Sequence, residues 1–378
     1  MRITHLIYDD LGNPWLGGGG AVRAREIYRR LAPRHQITLI CGAYPGAPSE
    51  ERVDGIRILR VGSQRSYALS RLTYALSALR HLGRQDSDVW VHEFSAFAPL
   101  FPSTRRRQNG VLFFYHLLGF HAVKKHPIVG WVSWLSENWV LRAYMRILTI
   151  SPSVTDLIAQ RRPDALIQCV YTGVESSYFQ MEPEEGDYIL YFGRTDIHTK
   201  GLDTLIEAFS TLASDHPTLR LRFAGRGSPE QEERLDQLVK AARLESRVEI
   251  IGSVDEATKS ELLRRALLVA MPSRYEGWGI AAIEAAAAAR PLVGTRIPGL
   301  VDAVKDEETG LLVEAGDADA LAQSIKRLLE DGDLRHRLGV AGRQWARRFD
   351  WEQIAVDQEE FLAKALEPQR PATTPKEH

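Results

Sequence analysis

Two glutamates, Glu276 and Glu284, occur with seven residues between them in the stretch 272–285. The first lies in a glycine-broken loop, and the second falls inside the helix that this loop is expected to open. The free backbone N–H groups at the start of a helix suit a phosphate. A carboxylate on each side of such an anion site fits a ligand with hydroxyl groups at both ends and phosphates in the middle, as in a nucleotide-sugar.

Two cations, Arg194 and Lys200, follow a predicted strand at residues 188–192 and precede a predicted helix at residues 202–212. Arginine offers a planar fork to an anion, and lysine offers a compact charge. Taken alone, such a pair is more typical of solvated surface charge. Because the predicted helix start at residues 277–281 lies in the same half of the chain, we expect the two cations to face a pyrophosphate there.

Four consecutive glycines at residues 17–20 lie between the first predicted strand and the first predicted helix. Glycines let a backbone approach a phosphate closely. The run is not a clean Gly-x-Gly-x-x-Gly fingerprint, and no Gly-Lys-Ser/Thr sequence follows it. A flexible turn is therefore the alternative interpretation.

His116 ends the apolar run of residues 111–115 and is expected at the carboxyl end of a strand. A single histidine is more often structural, but ligands of α/β sheets bind at this edge, so both interpretations stay open. His92, beside Glu93, has the same kind of position and is the weaker candidate.

Asp-x-Asp sequences at residues 86–88, 317–319 and 331–333 raise the question of a divalent ion that would hold a diphosphate. The second is typical of a helix N-cap with an acidic first turn, the first precedes a strand, and the third separates two helices. We therefore expect no metal site and no cofactor. Arg194, Lys200 and a helix dipole are expected to stabilise a leaving diphosphate without a metal.

Residues 120–139 contain three tryptophans and two adjacent lysines, which is unusual for a loop of a water-soluble protein. Basic and aromatic residues together suit a membrane surface or a lipid-linked acceptor. The alternative is a core helix that packs its tryptophans inside the protein.

The chain has 378 residues, which is long for a single core and predicts two domains. Its 48 Lys and Arg nearly balance 49 Asp and Glu, which argues against a dedicated nucleic-acid binder. Cys41 and Cys169 lack metal-ligand spacing and are expected to be buried thiols. Since we find no signal-peptide pattern and no apolar run of membrane-spanning length, we expect a cytoplasmic protein, with peripheral contact at the inner membrane face through residues 120–139 as an option.

Strand-like and helix-like segments alternate, which predicts parallel sheets covered on both faces. The predicted strands are residues 3–8, 37–41, 56–61, 89–94, 111–115 and 147–150, then 188–192, 219–224, 248–251, 267–270, 292–293 and 311–313. We predict an α/β protein of two Rossmann-like, doubly wound domains, 1–180 and 187–350, facing a central cleft. Helix 351–366 is expected to complete the first domain, and the proline-containing tail 367–378 is expected to be disordered.

Further motifs are spread along nearly the whole chain. They are Gly-Gly before the first helix, Ile-Ser-Pro-Ser-Val-Thr-Asp-Leu-Ile at 150–158, Tyr-Thr-Gly-Val-Glu at 171–175, Phe-Gly-Arg…Lys-Gly-Leu at 192–202, Phe-Ala-Gly-Arg-Gly at 223–227, the pair of spaced glutamates, and Val-Lys-Asp-Glu-Glu-Thr-Gly-Leu-Leu-Val at 304–313. In this order they resemble the GT-B retaining glycosyltransferases, specifically glycosyltransferase family four. Thr172 departs from the family pattern, which often has Asn at this turn, and a local structural adjustment is expected.

The resemblance implies a role for each candidate residue. Arg194 and Lys200 would bind the donor diphosphate, Glu284 would accept from the ribose hydroxyls, and Glu276 would hold the donor sugar. The backbone of Gly277, Trp278 and Gly279 would lie near that sugar, the N–H groups of Ile280 and Ala281 would contact phosphate, and the backbone at Ser253 and Val254 would read the base. From the first domain, Gly19 and Gly20 would approach the distal phosphate, and His116 would contact the transferred sugar.

The resemblance also implies retaining transfer of a sugar to an acceptor hydroxyl, with same-face attack assisted by the leaving phosphate. Three alternatives remain. A dinucleotide-dependent oxidoreductase would explain the glycine run but not the glutamate pair, a catalytically silent partner subunit is the second alternative, and an epimerase or phosphorylase of the same architecture is the third. Neither the sugar and base of the donor nor the acceptor, whether glycan, lipid-linked or small molecule, can be read from the sequence.

Overall fold

The computed structural model describes residues 1–15, 18–95, 98, 100–115, 117 and 127–367, without the side chains of residues 105, 106 and 127–129. The chain divides into two compact units. The first unit comprises Met1–Thr149, Thr155–Val170 and Ile354–His378, and the second comprises Ile150–Val154 and Tyr171–Gln353. The predicted tail 367–378 lies, apart from its first residue, outside the described residues.

The first unit is built on a sheet whose central strand is β1. Its described strands are β1 (Arg2–Leu6), β2 (Gln36–Gly42), β3 (Glu50–Val53), β4 (Ile56–Val61), β5 (Val89–Glu93), β6 (Gly110–Phe114), β7 (Arg146–Thr149) and β8 (Leu166–Cys169), in the spatial order β3-β4-β2-β1-β5-β6-β7-β8. Ile3 pairs with Ile37 on one side and with Val89 on the other. The strands pair in parallel except β3, which runs antiparallel to β4. The order of the strands reverses between β1 and β5, which is where open α/β sheets bind ligands.

Helices cover both faces of this sheet. They are α1 (Gly19–Leu31), α2 (Tyr67–Leu82), α3 (Thr104–Arg107), α4 (Pro127–Ala143) and α5 (Pro152–Arg161). Helix α1 is amphipathic and buries Ala24, Ile27, Tyr28 and Leu31. The last described helix of the chain, α14 (Trp351–Lys364), begins in the second unit and joins the first unit from Ile354.

The second unit contains, among the described residues, a parallel sheet of six strands. They are β9 (Tyr188–Phe192), β10 (Arg220–Ala224), β11 (Val248–Gly252), β12 (Leu268–Met271), β13 (Leu292–Thr295) and β14 (Gly310–Val313), in the spatial order β11-β10-β9-β12-β13-β14. The order reverses between β9 and β12, so a ligand site is expected where the loops after these two strands meet. A single core cluster packs around buried residues such as Tyr191, Phe209, Leu221 and Leu268.

The helices of the second unit are α6 (Ile197–Lys200), α7 (Leu202–Asp215), α8 (Pro229–Ala241), α9 (Glu256–Arg265), α10 (Ile280–Ala287), α11 (Leu300–Ala303), α12 (Ala318–Glu330) and α13 (Gly332–Ala346). Helix α10 has alanine at five of its eight positions, which lets it pack closely against the sheet and α13, where Ala286 lies against Gly342. The prediction of two doubly wound parallel-sheet units is thus confirmed.

The predicted strands are found within about two residues of their observed bounds, and β3 and β8 were missed. Strand β3 is a charged edge strand, Glu-Glu-Arg-Val, and β8 is a half-buried edge strand. Both lack the apolar run that marks a central parallel strand. Within the described part of the chain, no helix is long and apolar enough to cross a bilayer.

Candidate functional site

Lys200 and Glu276 form an ion pair at the point where the second sheet reverses its strand order. Lys200 ends the short helix α6, which follows β9, and Glu276 lies in the loop that follows β12. Both side chains are largely buried. A lysine carries three donors. Lys200 can therefore keep its contact with Glu276 and still direct an N–H toward a phosphate oxygen.

Gly201 brings Lys200 to this position. Its backbone adopts φ of +63°, a conformation that residues with a side chain rarely adopt. This conformation ends α6 and lets α7 begin in a new direction. A Cβ at Gly201 would collide with the carbonyl of Pro272, directly before the loop that carries Glu276. Asp196 caps α6 by accepting a hydrogen bond of 2.9 Å from the Thr199 N–H. The turn thus fixes both the direction and the depth of Lys200.

Arg274 holds the loop of Glu276 against the same two helices. Its guanidinium donates to Asp203 at 2.8 Å and to the Thr204 hydroxyl at 2.9 Å. The backbone N–H of Arg274 donates to the Thr199 carbonyl at 2.9 Å, one residue before Lys200. These contacts lock the loop after β12 to the start of α7. Arg274 therefore positions Glu276 relative to Lys200.

Arg194 presents an exposed guanidinium beside this pair. It lies in the loop between β9 and α6, its side chain is 64% exposed, and its nearest carboxylate is Asp196 at 3.8 Å. The buried Tyr191 hydroxyl donates to the Arg194 carbonyl at 2.7 Å and fixes the backbone. Burial, with the nearby Glu276 charge, raises the pKa of Tyr191, so this hydroxyl keeps its proton. The planar guanidinium of Arg194 is thus exposed, while the backbone that carries it is held in place.

Residues 277–281 form the turn into α10, as predicted, with Gly279 as the N-cap of the helix. The Trp278 side chain is buried between Tyr171 and Phe349, with 5.0 and 5.2 Å between the ring centres. This packing anchors the turn. The Ile280 N–H donates to the Trp278 carbonyl at 2.9 Å. This group is therefore already engaged within the turn, whereas the family resemblance implied a phosphate contact for it.

Glu284 lies on α10 and forms an ion pair with Lys259 of α9, with 2.9 Å between Nζ and Oε1. Lys259 also contacts Glu256 at 3.0 Å. Burial raises the pKa of Glu284, and the charge of Lys259 offsets part of this effect. Burial opposes the charge on Lys259, but Glu284 and Tyr178 outweigh it and raise the pKa of Lys259. A charged pair at this position offers both a hydroxyl acceptor and a cation.

Tyr178 supports this pair from the segment that enters the second unit. It lies in the 3₁₀ helix Ser176–Gln180 and is fully buried. Its hydroxyl donates to Glu256, and its ring lies 5.5 Å from Lys259 Nζ. Ser253 and Val254 lie between β11 and the Asp255 N-cap of α9. The predicted base-reading backbone therefore directly precedes the helix that carries Lys259.

The first unit places Gly19 and Gly20 at the start of α1, next to ionisable side chains at the carboxyl edge of the sheet. A Cβ on Gly20 would lie 3.0 Å from Glu93 and 2.9 Å from the Tyr115 hydroxyl. Burial raises the pKa of Glu93 to about 8 and that of Asp9 to about 7. A protonated carboxyl beside the glycines does not repel a phosphate.

The two candidate histidines differ in outcome. His92 is fully buried and its Nδ1 lies 3.0 Å from the Tyr144 hydroxyl. Burial lowers the pKa of His92 to about 3, so it is a neutral core side chain and the weaker site prediction is wrong. His116, like the first glycine of the run, Gly17, lies outside the described residues.

The Asp-x-Asp sequences have structural partners in the described residues. Asp86 and Asp88 both pair with Arg2. Asp317 caps α12 and Asp331 caps α13 through accepted backbone N–H bonds of 2.9 and 2.8 Å. Within the described part of the chain, no group of three or more His, Cys, Asp or Glu side chains is arranged to hold a metal ion.

Lys259 and Arg274 are the two site residues that sequence reasoning missed. Lys259 lies one turn into a helix that begins with the Asp255 N-cap, and Arg274 lies two residues before Glu276. The signal for Lys259 was its position just after the predicted base-reading backbone. Arg274 gave no local signal, because its partners lie 70 and 71 residues earlier in the chain.

The side chains of α4 contradict one interpretation of residues 120–139, namely a core helix with its tryptophans inside. Residues 120–126 are outside the described part, but in α4 the side chains of Trp131, Val132, Leu135 and Trp139 are exposed. The helix buries Ser133, Ser136 and Glu137 together with Val140 and Leu141. The interpretation as a core helix that packs its tryptophans inside is therefore wrong for Trp131 and Trp139.

Two family models match consecutive parts of the chain. The model for glycosyltransferase family 4 matches residues 17–178, and the model for glycosyl transferases group 1 matches residues 176–345. The second match contains every candidate residue of the second unit. The two matches meet close to the boundary between the two units.

Curated relatives match part of the chain. Glycogen synthase of Mycobacterium tuberculosis is 32% identical over 250 residues, which are 62% of this chain and 60% of that protein. Phosphatidyl-myo-inositol mannosyltransferase of Mycobacterium leprae is 33% identical over 174 residues, which are 46% of this chain and 45% of that protein. The chain thus spans less than two thirds of the length of these relatives.

Solved structures match nearly the whole chain and show the fold. Sucrose-phosphate synthase from Thermosynechococcus elongatus has a TM-score of 0.81 at 22% identity and covers 96% of this chain and 98% of its own. Anabaena Alr3699/HepE, solved in complex with UDP and glucose, has a TM-score of 0.74 at 18% identity and covers 96% and 99%. The predicted GT-B architecture is therefore confirmed.

Proposed function

Because the chain belongs to the group 1 glycosyltransferases of family 4, we propose that it moves a hexosyl residue from a nucleoside diphosphate sugar to an acceptor hydroxyl with retention of configuration. The observation that carries the proposal is the pairing of Lys200 with Glu276 and of Lys259 with Glu284 on the two sides of the turn into α10. Each pair puts one carboxylate and one cation at an end of the turn that would bind the diphosphate.

The donor would lie along this turn with its diphosphate at the centre. Lys200 and Arg194 would hold the diphosphate oxygens, as a compact charge and a planar fork respectively. Glu276 would accept hydrogen bonds from the sugar hydroxyls, and Glu284 from the ribose hydroxyls. Ser253 and Val254 would present backbone groups to the base. UDP and GDP are the proposed nucleotides, and Alr3699/HepE, which shares the fold, was solved with UDP.

In the chemical step, the bond between the anomeric carbon and the diphosphate oxygen would break. The acceptor oxygen would bond to the same face of that carbon, and its proton would pass to the leaving phosphate oxygen. Lys200 and Arg194 would stabilise the charge that develops on the diphosphate. No cofactor and no metal are needed for this scheme, since the two cations and the start of α10 supply the positive charge.

The first unit would contribute the acceptor side. Gly19 and Gly20 would let the backbone approach the distal phosphate, and His116 would contact the transferred sugar. A glycan, a lipid-linked saccharide or a small molecule would serve as acceptor, in the biosynthesis of polysaccharide, glycolipid or cell-surface glycan. We further propose peripheral contact with the inner face of a membrane through residues 120–139.

The first experiment is thermal denaturation of the purified protein with UDP-, GDP-, ADP- and TDP-sugars in EDTA, with NADH in parallel. A ligand that binds only the folded state raises the melting temperature. We expect a selective rise with one nucleotide-sugar. A rise with NADH alone would overturn the proposal in favour of an oxidoreductase.

Turnover separates an enzyme from a silent subunit. The nucleotide-sugar that stabilises the protein is incubated with a panel of acceptors, and release of the nucleoside diphosphate is measured. Retention is tested by the anomeric configuration of the product in NMR. Binding of a nucleotide-sugar without any release, in the presence of every acceptor class, would favour a catalytically silent subunit.

A further inference from the structure

Helix α4 of the first unit turns several large apolar side chains outward, although its buried face is partly polar. Its described exposed face carries Trp131, which is 45% exposed, Leu135, which is 56% exposed, and Trp139, which is 38% exposed. Its buried face carries Ser133, Ser136 and Glu137 together with the apolar Val140 and Leu141. A surface helix normally turns its apolar stripe to the core. An apolar face of this kind marks an interaction surface.

The exposed face continues beyond α4. Phe101, which is 53% exposed, packs against the Trp139 ring at 5.0 Å. On α2, Leu69, Leu72 and Leu76 are exposed at a spacing that places them along one side of the helix, and Leu76 reaches 72% exposure.

Helices α2 and α4 lie on the same face of the first sheet. The crossover from β4 to β5 contains α2, and the crossover from β6 to β7 contains α4. Both crossovers move in the same direction through the order of the strands. Because such connections between parallel strands are right-handed, both helices cover one face, whereas α1, in the opposite crossover from β1 to β2, covers the other.

The charged side chains of these helices are mostly positive. Helices α2, α3 and α4 contain six arginines and one acidic residue, Glu137, which is fully buried. Arg107 and Arg142 form no ion pair with a described carboxylate. Together with Trp134, Leu135, Asn138, Trp139 and Ala143 they line a surface cavity of about 400 Å³. The Arg107 guanidinium lies 5.3 Å from the Trp139 ring centre.

We propose that this face, made by Trp131, Leu135 and Trp139 of α4 with Phe101, Arg107 and Arg142, docks on the surface of an anionic phospholipid bilayer. Tryptophan suits the boundary between headgroups and acyl chains. Arginines at that depth bind headgroup phosphates, and each contributes roughly 1 kcal/mol toward an anionic surface. The cavity between Arg107 and Arg142 takes one headgroup phosphate, and the leucines of α2 widen the contact.

Arg107 and Arg142, which form no ion pair with a described carboxylate, favour a bilayer over other partners of an apolar face. A neutral protein surface offers these two arginines no opposite charge, whereas a sheet of phosphates matches them in sign. This docking defines the partner in the proposed membrane contact, and it brings an acceptor that is embedded in the same bilayer to the first unit. It rests on the proposed membrane contact and not on the donor chemistry.

The test is sedimentation of the full chain with phosphatidylcholine vesicles that contain or lack phosphatidylglycerol. We expect binding to the anionic vesicles that weakens as salt is added. The double variant Trp131→Ser, Leu135→Ser should bind at least about tenfold more weakly, because it removes buried apolar area. Arg142→Gln should bind roughly fivefold more weakly. The matched control is Val340→Ser, Val356→Ser, which removes exposed apolar side chains of α13 and α14 and should bind as the unchanged protein does.

Tryptophan emission supplies a second measurement. Trp131 and Trp139 should shift to shorter wavelength on anionic vesicles and should be quenched by lipids brominated near the headgroup. Free inorganic phosphate should cause neither effect. An unchanged melting temperature shows that each variant is folded.

Failure of the docking and failure of the transferase proposal give different results. In one outcome, a nucleotide-sugar raises the melting temperature while the protein stays in the supernatant with both kinds of vesicle. In that case the docking proposal is wrong and the donor-site proposal is supported. Equal binding to neutral and anionic vesicles, or equal binding by the Trp131→Ser, Leu135→Ser variant, also overturns it. Binding to vesicles without any response to nucleotide-sugars overturns only the transferase proposal.

Discussion

Lys259 Nζ lies 2.9 Å from the carboxylate of Glu284, and this lysine joins two helices that are separated by a strand. The pair is largely buried, so each charge depends on the other to remain ionised. Lys259 also contacts Glu256 at 3.0 Å, so its ammonium group is shared between two carboxylates. Lys259 thus holds in place the carboxylate that we assign to the ribose hydroxyls and offsets part of the rise in its pKa that burial causes.

Replacement of Lys259 by Met should weaken both folding and donor binding. It leaves Glu284 as a buried carboxyl without its cation, and breaking such a pair costs about 3 kcal/mol of unfolding free energy. Nucleotide affinity, measured by calorimetry, should fall at least about tenfold. The control is Lys240→Met, which removes an exposed pair with Asp236 and should leave stability nearly unchanged. Normal affinity in the Lys259 variant would show that Glu284 needs no partner.

Replacement of Glu276 by Gln should lower turnover more than nucleotide binding. The amide keeps the size of the side chain but loses the charge that pairs with Lys200. We expect kcat to fall on the order of 100-fold, as for other lost contacts to a reacting group, while affinity for the nucleoside diphosphate changes little. Steady-state kinetics and calorimetry with the diphosphate alone check this split. Glu261→Gln, on the exposed face of α9, is the control, and a parallel loss of turnover and diphosphate affinity would contradict the assignment of Glu276 to the sugar.

Replacement of Gly201 by Ala should misplace Lys200. The added Cβ would strain a positive φ and would also meet the Pro272 carbonyl. The matched control is Gly316→Ala, where φ is +87° and no atom lies within 4 Å of the added Cβ. The control should lose about 1 kcal/mol from backbone strain alone, and Gly201→Ala should lose clearly more and lose turnover as well. Equal denaturation midpoints for the two variants would show that the contact with Pro272 is unimportant.

Replacement of Arg274 by Ala should loosen the loop of Glu276 without touching the donor. Its bonds to Asp203 and Thr204 would be lost. We expect kcat to fall about tenfold or more while folding persists, because small misplacements of a positioned group slow catalysis. The control is Arg296→Ala, which removes an exposed contact with Asp306. Faster proteolytic cleavage between residues 272 and 279 in the Arg274 variant would report the loosened loop, and unchanged kinetics would argue that Arg274 has no positioning role.

Replacement of Glu93 by Gln should change the pH dependence of stability. Burial raises the pKa of Glu93 from 4.5 to about 8, so its folded state is favoured when the carboxyl is protonated. The stability that it contributes is fully present below pH 4.5 and is lost as the pH rises through about 8. The glutamine variant stays neutral, so its advantage in stability over the unchanged protein should grow as the pH rises above 4.5 and reach its full size above about pH 8.

Thermal denaturation across this pH range checks the effect of Glu93. The difference in melting temperature between the glutamine variant and the unchanged protein should grow with pH. The control is Glu50→Gln, since the carboxylate of Glu50 is exposed and paired with Arg57. A constant difference at all pH values would show that Glu93 is ionised in the folded protein.

Sequence patterns were sufficient for the alternation of strands and helices, the two parallel sheets and the approximate bounds of most strands. These follow from local spacing of apolar residues, which each segment carries within itself. Arg194 and Lys200 were proposed from sequence because they follow a predicted strand, where ligands of parallel sheets bind. The two glutamates were proposed because they flank a predicted helix start, where an anion can bind. Strand β3 was not predicted, because a charged edge strand has no apolar run.

Only the tertiary structure decided which charges meet and which face of α4 is buried. Lys200 and Glu276 are 76 residues apart, and Lys259 and Glu284 are 25 residues apart. Their contact depends on the order of β9, β12 and the neighbouring strands, which no local spacing specifies. The composition of α4 fits a buried helix and a membrane-facing helix equally well, so the direction in which Trp131 points had to come from packing against the sheet. Periodicity is a property of one segment, whereas ion pairs and exposed faces are properties of how segments are assembled.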